Sequence, residues 1–209
     1  MDRTTLERIR DEHPTASWAL WSPTFPKAGC VEEERDELFE YIISRHDEMR
    51  PSIVLLSLNP STDMPSDFWN FHSTQPKHRN DQFRDLVEAS GLTGAFMTDL
   101  VEHTVDASAG DVNPTDDDVE NFFHLLELLG QDEYHVLCFL QEVFDTLRDA
   151  FDQTPEQLPH DIDAFTTRQR GFTLHCYRVW FHANWGANKD KIPKLEEQLA
   201  YLNQQRIDS

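Results

Sequence analysis

Three clusters of polar and aromatic residues carry the chemistry this chain can offer. Asn59-Pro60-Ser61-Thr62-Asp63 follows an apolar run and leads into Phe68-Trp69-Asn70-Phe71-His72, then Lys77-His78-Arg79. Thr98 and Asp99 close a second apolar run, with His103 after them. A later run ends in His182-Ala183-Asn184-Trp185-Gly186-Ala187-Asn188-Lys189. Rings beside Asn, Asp and His suit a flat heterocycle. A π-face supplies stacking, about 1–3 kcal/mol per base in single-strand binders, while the polar side chains read the edge. Lys77, Arg79, Lys189, Lys191 and Lys194 are the bases that would meet a phosphate near the same place.

Each residue also has a plainer reading. Asn-Pro-Ser favours turns anywhere. In that reading Asp99 braces its loop, and His182 is a satisfied structural histidine. Phe68, Trp69 and Phe71, taken singly, are core residues more often than stackers. A metal site drawn from His72, Asp99, His103 and His182 matches no hydrolase spacing. No metal and no cofactor are therefore expected. Cys138 and Cys176 fall inside apolar runs and read as core, without a nucleophilic role.

These residues need elements to hold them. Helical spacing predicts helices over 4–12, 31–49, 81–90 (with Asn80 as N-cap), 116–129 (with Thr115 as N-cap and Gly130 as stop), 142–151 and 189–204. Short β-branched or aromatic runs predict four strands: Ser52–Leu58, Ala95–Val101, Tyr134–Leu140 and Phe172–Phe181. Residues 152–170 lack periodicity and read as a loop. Alternating strands and helices imply an α/β fold, a three-layer α/β/α sandwich around a four-stranded, mainly parallel sheet. One α/β domain over 1–209 is expected, with an N-terminal helical part over 1–50 and a core over 51–205. Ligands of such sheets bind beyond the carboxyl ends of the strands, where all three clusters fall.

Composition sets the outer limits. The chain has 209 residues, 39 acids against 18 Lys and Arg, and a net charge of −21. With 14 Phe and 5 Trp it is not a disordered acidic chain. No apolar run approaches a membrane span and no signal segment opens the sequence, so a cytoplasmic protein without membrane contact is expected, and a monomer is expected beside it. Three unevenly spaced Cys supply neither a disulfide framework nor four iron–sulfur ligands. The charge is uneven: residues 99–163 hold 18 acids and one base, whereas 164–209 are net +3. An acid excess opposes polyanion binding unless the bases gather on one face.

The strand Ile53–Leu58 running into Asn59-Pro60-Ser61 resembles the first motif of the uracil-DNA glycosylase superfamily, nearest its mismatch-specific branch. Val179-Trp180-Phe181-His182 is similar to the second motif, and the order of elements fits that fold. The resemblance implies a uracil-DNA-glycosylase-like hydrolase acting in DNA repair on the N-glycosidic bond of a modified or mismatched base. By the same carry-over Asn59 would hold the attacking water and His182 would hydrogen-bond the leaving base. Pro60 and Ser61 would shape the base pocket, Phe71 or Phe68 would stack, and Asp99 would read the base edge. Lys77, Arg79, Asn184, Lys189 and Lys191 would contact phosphate. DNA, a nucleotide or a nucleobase is then the partner.

The chain departs from that pattern at two places. Asp99 stands where several branches carry a base-reading Asn, and an ionised Asp only accepts hydrogen bonds. Ala183-Asn184-Trp185 replaces Pro-Ser after the second-motif histidine. Two alternatives stay open: a nucleotide- or base-binding protein of this fold without DNA glycosylase activity, or an acidic protein that imitates DNA.

Overall fold

The computed structural model describes residues 1–22, 35–61, 63, 67–73, 75, 78–105, 112–182 and 192–207. Six α-helices and seven strands make up the described chain; they alternate as far as the fifth helix, after which three strands precede the sixth. The expected first strand is β2 (Arg50–Ser57), the second β3 (Ala95–Asp99), the third β4 (Glu133–Cys138) and the fourth β7 (Phe172–Arg178). All four are neighbours and mutually parallel, in the order β3-β2-β4-β7. Their runs are buried because helices cover both faces, as a parallel sheet requires.

The sheet is wider than four strands, and it is mixed. β1 (Ser17–Trp18) adds antiparallel to β3 at one edge. At the other edge β6 (Ile162–Gln169) pairs antiparallel with β7, and β5 (Glu156–Leu158) with β6. The loop expected over 152–170 is therefore two strands. β6 buries Ile162, Ala164 and Phe165 among solvent-facing polar residues, a weak alternation that a search for apolar runs misses. The two residues of β1 are too few to show any period.

Helix α1 (Arg3–Glu12), α2 (Arg35–Ser44), α4 (Asp116–Leu129) and α5 (Gln141–Ala150) cover one face, packing Leu6, Ile42, Phe122 and Phe144 on Val54, Leu56 and Val136. Helix α3 (Asn80–Ala89) and α6 (Ile192–Leu202) cover the other, packing Phe83, Val87, Leu195 and Leu199 on Ile53, Leu55 and Leu137. Alternate residues of β2 thus serve opposite layers, the period-two rule of a strand. No helix among the described residues is long and apolar enough to cross a membrane.

Local signals explain the element ends. Thr115 accepts from the Asp118 amide and Asp118 reaches back to the Thr115 amide, a capping box that starts α4. Gly130 ends it in the left-handed conformation. Gly94 starts β3 at φ +82°, where a Cβ would lie 1.9 Å from the Glu48 carbonyl oxygen. The N-cap of α3 is Arg79 rather than Asn80: Arg79 takes φ 52°, and the Asn80 side chain donates to the Ser73 carbonyl. The fourth parallel strand stops at Arg178, because the Trp180 amide turns to donate to Gln198 on α6.

Candidate functional site

The carboxyl ends of β2, β3, β4 and β7 lie side by side. Backbone bonds from Leu100 to Ser57, Phe139 to Leu56 and Val179 to Cys138 carry the register past each strand end. The segments that follow are held close together, as the sequence analysis anticipates for a ligand site.

His182 is the centre of an aromatic cage. Its ring stacks on Phe83 at 4.3 Å, with Phe181 at 4.6 Å, Phe71 at 6.1 Å and Phe139 at 6.2 Å. Burial holds its pKa down to about 3, a hydrogen bond to the His78 backbone works against that, and the charges of His78 and Arg79 lower it further. The ring is neutral at pH 7. Because the His78 contact favours the protonated ring, the partner is the carbonyl and His182 donates to it. Among the described residues Nδ1 has no hydrogen-bond partner, and a ring that donates from Nε2 carries its lone pair on Nδ1. Neutral His182 thus has an acceptor only for a ligand that enters the cage, since Nδ1 is itself buried. The donor role that the resemblance implies for it needs the other tautomer.

His78 joins the two motifs. Its Nε2 is 3.5 Å from the Ser61 hydroxyl, its Nδ1 is 2.8 Å from the Ser73 hydroxyl, and its backbone holds His182. Ser61 is exposed and Pro60 buried. Arg79 follows His78 in the chain and lies close enough to His182 to disfavour its protonation. The Asn59 amide nitrogen donates to the Pro60 carbonyl at 3.1 Å and the Thr104 carbonyl at 3.3 Å, which sets the plane of its side chain across the loop mouth.

Asp99 is buried and bonded on two sides. Asn70 donates to its Oδ2 at 2.9 Å, and Ser57 also hydrogen-bonds it. Burial is the main force on this carboxyl, pushing its pKa up to about 7. The Asn70 bond opposes that shift, the Glu102 charge adds to it and the Ser57 bond opposes it. Burial thus favours the protonated carboxyl, which can donate as well as accept. A buried Asp at this position is therefore not confined to accepting. Behind it lies a polar cluster: Thr15 bonds Thr98, Glu102 and the Asp99 amide, while His13 donates to Glu102.

Residues 70 and 71 tie these parts together, since Asn70 reaches Asp99 and the Phe71 ring reaches His182. Phe71 sits at φ 62°, as does Phe68 at 57°, so the loop is bent twice in the left-handed region. Phe68 is not part of the site. It is buried on the opposite side of the sheet, stacked 5.3 Å from Phe39, and its carbonyl accepts from Ser17. Lys77, Asn184, Lys189 and Lys191 lie outside the described residues. Asn70, His78, Phe83 and Thr15 are the contributors that sequence reasoning missed. Asn70 and His78 stood inside the flagged clusters, whereas Thr15 had no signal.

Among the described bases, Arg168 and Arg170 lie at the other end of the sheet, whereas Lys194 lies near the carboxyl end of β7. Arg168 pairs in register with Thr173, at the start of β7 and so at the far end of the sheet from His182. Arg170 is bound to Glu120 and Glu127 of α4. Lys194 is 3.6 Å from Asp161. Neither a scan of protein-family models nor a search of curated proteins returns a match to this chain.

Proposed function

We propose that this protein binds a nucleobase at the carboxyl ends of its parallel strands and hydrolyses the N-glycosidic bond that carries it. The reading rests on one observation: Ser61 of the first motif and His182 of the second meet on His78, beside the Phe71 ring. The four-strand parallel core, with helices on both faces, supports a uracil-DNA-glycosylase-like fold within the wider sheet.

In this reading Phe71 stacks on the base, and the Asp99–Asn70 pair reads its edge with a donor and acceptors. His182 Nδ1 accepts an N–H of the base, which orients it in a dry aromatic pocket where such a bond is strong. Asn59 positions a water at C1′. The C1′–N bond breaks with its electron pair leaving on the base, the water oxygen bonds C1′, and the water proton reaches the base through solvent.

A second reading is favoured by Arg168 and Arg170, which point away from this end of the sheet. Here the ligand is a free nucleoside or nucleotide, with Arg79 as its phosphate contact, and no DNA is bound. The acidic-mimic reading gains nothing comparable: Asp118 is engaged in capping α4, and Glu120 and Glu127 are paired.

Base release decides the main reading. Wild type, Asn59→Ala and His182→Ala are assayed on deaminated and alkylated oligonucleotides and on nucleosides. Release by wild type, with a clear loss in either variant, supports it; no release, or equal release by all three, refutes it. Thermal shifts with mononucleotides against single-stranded DNA at low salt separate the two ligand classes.

A further inference from the structure

A second polar cluster lies away from the strand ends, where α1 meets α4. Glu12 closes α1, His13 is its C-cap residue, and His124 stands on α4. The three offer ligating atoms that all lie within 4.8 Å of one another. His124 Nε2 is 2.8 Å from Glu12 Oε2, and the two imidazole rings are 5.8 Å apart.

His13 is the informative member. It is 1% exposed, and its Nδ1 donates to Glu102 Oε2 at 2.9 Å. With Nδ1 donating to the carboxylate, Nε2 is the nitrogen left for another partner, and buried Nε2 has none among the described residues. An unsatisfied buried polar atom costs about 1–3 kcal/mol and calls for a reason. A His–carboxylate pair between Glu12 and His124 explains those two residues but leaves the His13 lone pair orphaned. A carboxylate behind an imidazole whose other nitrogen is open is the arrangement that orients a metal-ligating histidine. Glu102 is itself anchored by Thr15 and Asn121, so the His13 ring is held in place.

We propose that Glu12, His13 and His124 bind zinc or a divalent cation of similar borderline softness. Two neutral imidazoles and one carboxylate form a donor set suited to such an ion, with a fourth position left for water. Glu127, 3.9 Å from His124 Nδ1, adds negative charge nearby, while Arg8 already holds the other Glu12 oxygen and shares that carboxylate with the ion. The ion would staple the first helix to the fourth. Glu12 and His124 are 112 residues apart in the chain, which is why no ligand spacing is legible in the sequence.

The test uses the full chain after chelator treatment. Zinc is titrated against a chromogenic chelator, cobalt(II) is added as a spectroscopic probe, and melting is followed with and without zinc. The expected result is one equivalent bound, cobalt absorption of a low-coordinate N/O site and a higher melting temperature with zinc. Replacing buried His13 risks the fold, so half-exposed His124 carries the decisive variant. His124→Ala should bind at least about a hundredfold more weakly, and Glu102→Gln about 10- to 100-fold more weakly. His175→Ala, which removes the histidine paired with Glu133, should bind like wild type. No stoichiometric uptake, or wild-type affinity in His124→Ala, overturns the assignment.

Discussion

The Asn70 amide donates to Asp99 Oδ2 at 2.9 Å, with both residues buried. The contact joins a loop residue to a strand end, and it stabilises the ionised carboxyl that burial opposes. Asp99 has a folded pKa of about 7 against an unfolded value of 3.8. The folded state therefore binds more protons at Asp99 over that interval, and the Asp99 contribution to stability falls as pH rises from about 4 to 7. Asp99→Asn removes this limb and keeps an acceptor for Asn70. Denaturant melts of both proteins from pH 5 to 8 check it: the wild-type curve should decline relative to the variant by on the order of 1 kcal/mol per pH unit at most. Parallel curves would place the titration elsewhere.

His182 acts at the acid end. Its folded pKa of about 3 lies below the unfolded 6.5, so its contribution is complete above about 6.5 and is lost as pH falls towards 3. Buried His72 and the largely buried His135, both held down to about 4, behave alike. His182→Gln should thus make the acid limb shallower by one proton without abolishing it. Acid unfolding followed by circular dichroism, with the slope compared between the two proteins, measures that proton.

Phe71 carries the stacking argument. Phe71→Ala should weaken binding of a nucleobase or nucleotide by about 1–3 kcal/mol, roughly 5- to 150-fold in Kd. Phe71→Leu keeps bulk against Phe83 and serves as the packing control. Titration calorimetry with both variants reads the effect. Unchanged affinity in Phe71→Ala would remove this ring from the site.

The two buried cysteines should be chemically silent. Burial raises both thiols, Cys138 and Cys176, far above neutral pH, so neither forms a thiolate in the folded protein. A chromogenic disulfide reagent should label them only at the rate of global unfolding. Fast labelling of either in native buffer would contradict the packing between β4 and β7.

Local pattern was enough for what depends on near neighbours. The apolar runs of β2, β3, β4 and β7, the Thr115 cap and Gly130 stop of α4, and the burial of Cys138 and Cys176 were legible because strand period, capping and burial are written within a few residues. Asn59 and Asp99 were legible as residues at strand ends for the same reason. Edge pairing was not: β1 is two residues long, and β6 is only partly apolar, so each exists as a strand because a neighbour accepts its hydrogen bonds. Tertiary structure also decided which aromatic meets His182, since Phe68 and Phe71 differ by three residues yet lie on opposite faces of the sheet. It decided the protonation of Asp99 and His182 as well. Charge state follows from burial and from partners distant in sequence, such as Asn70 and His78, and no local pattern encodes those distances.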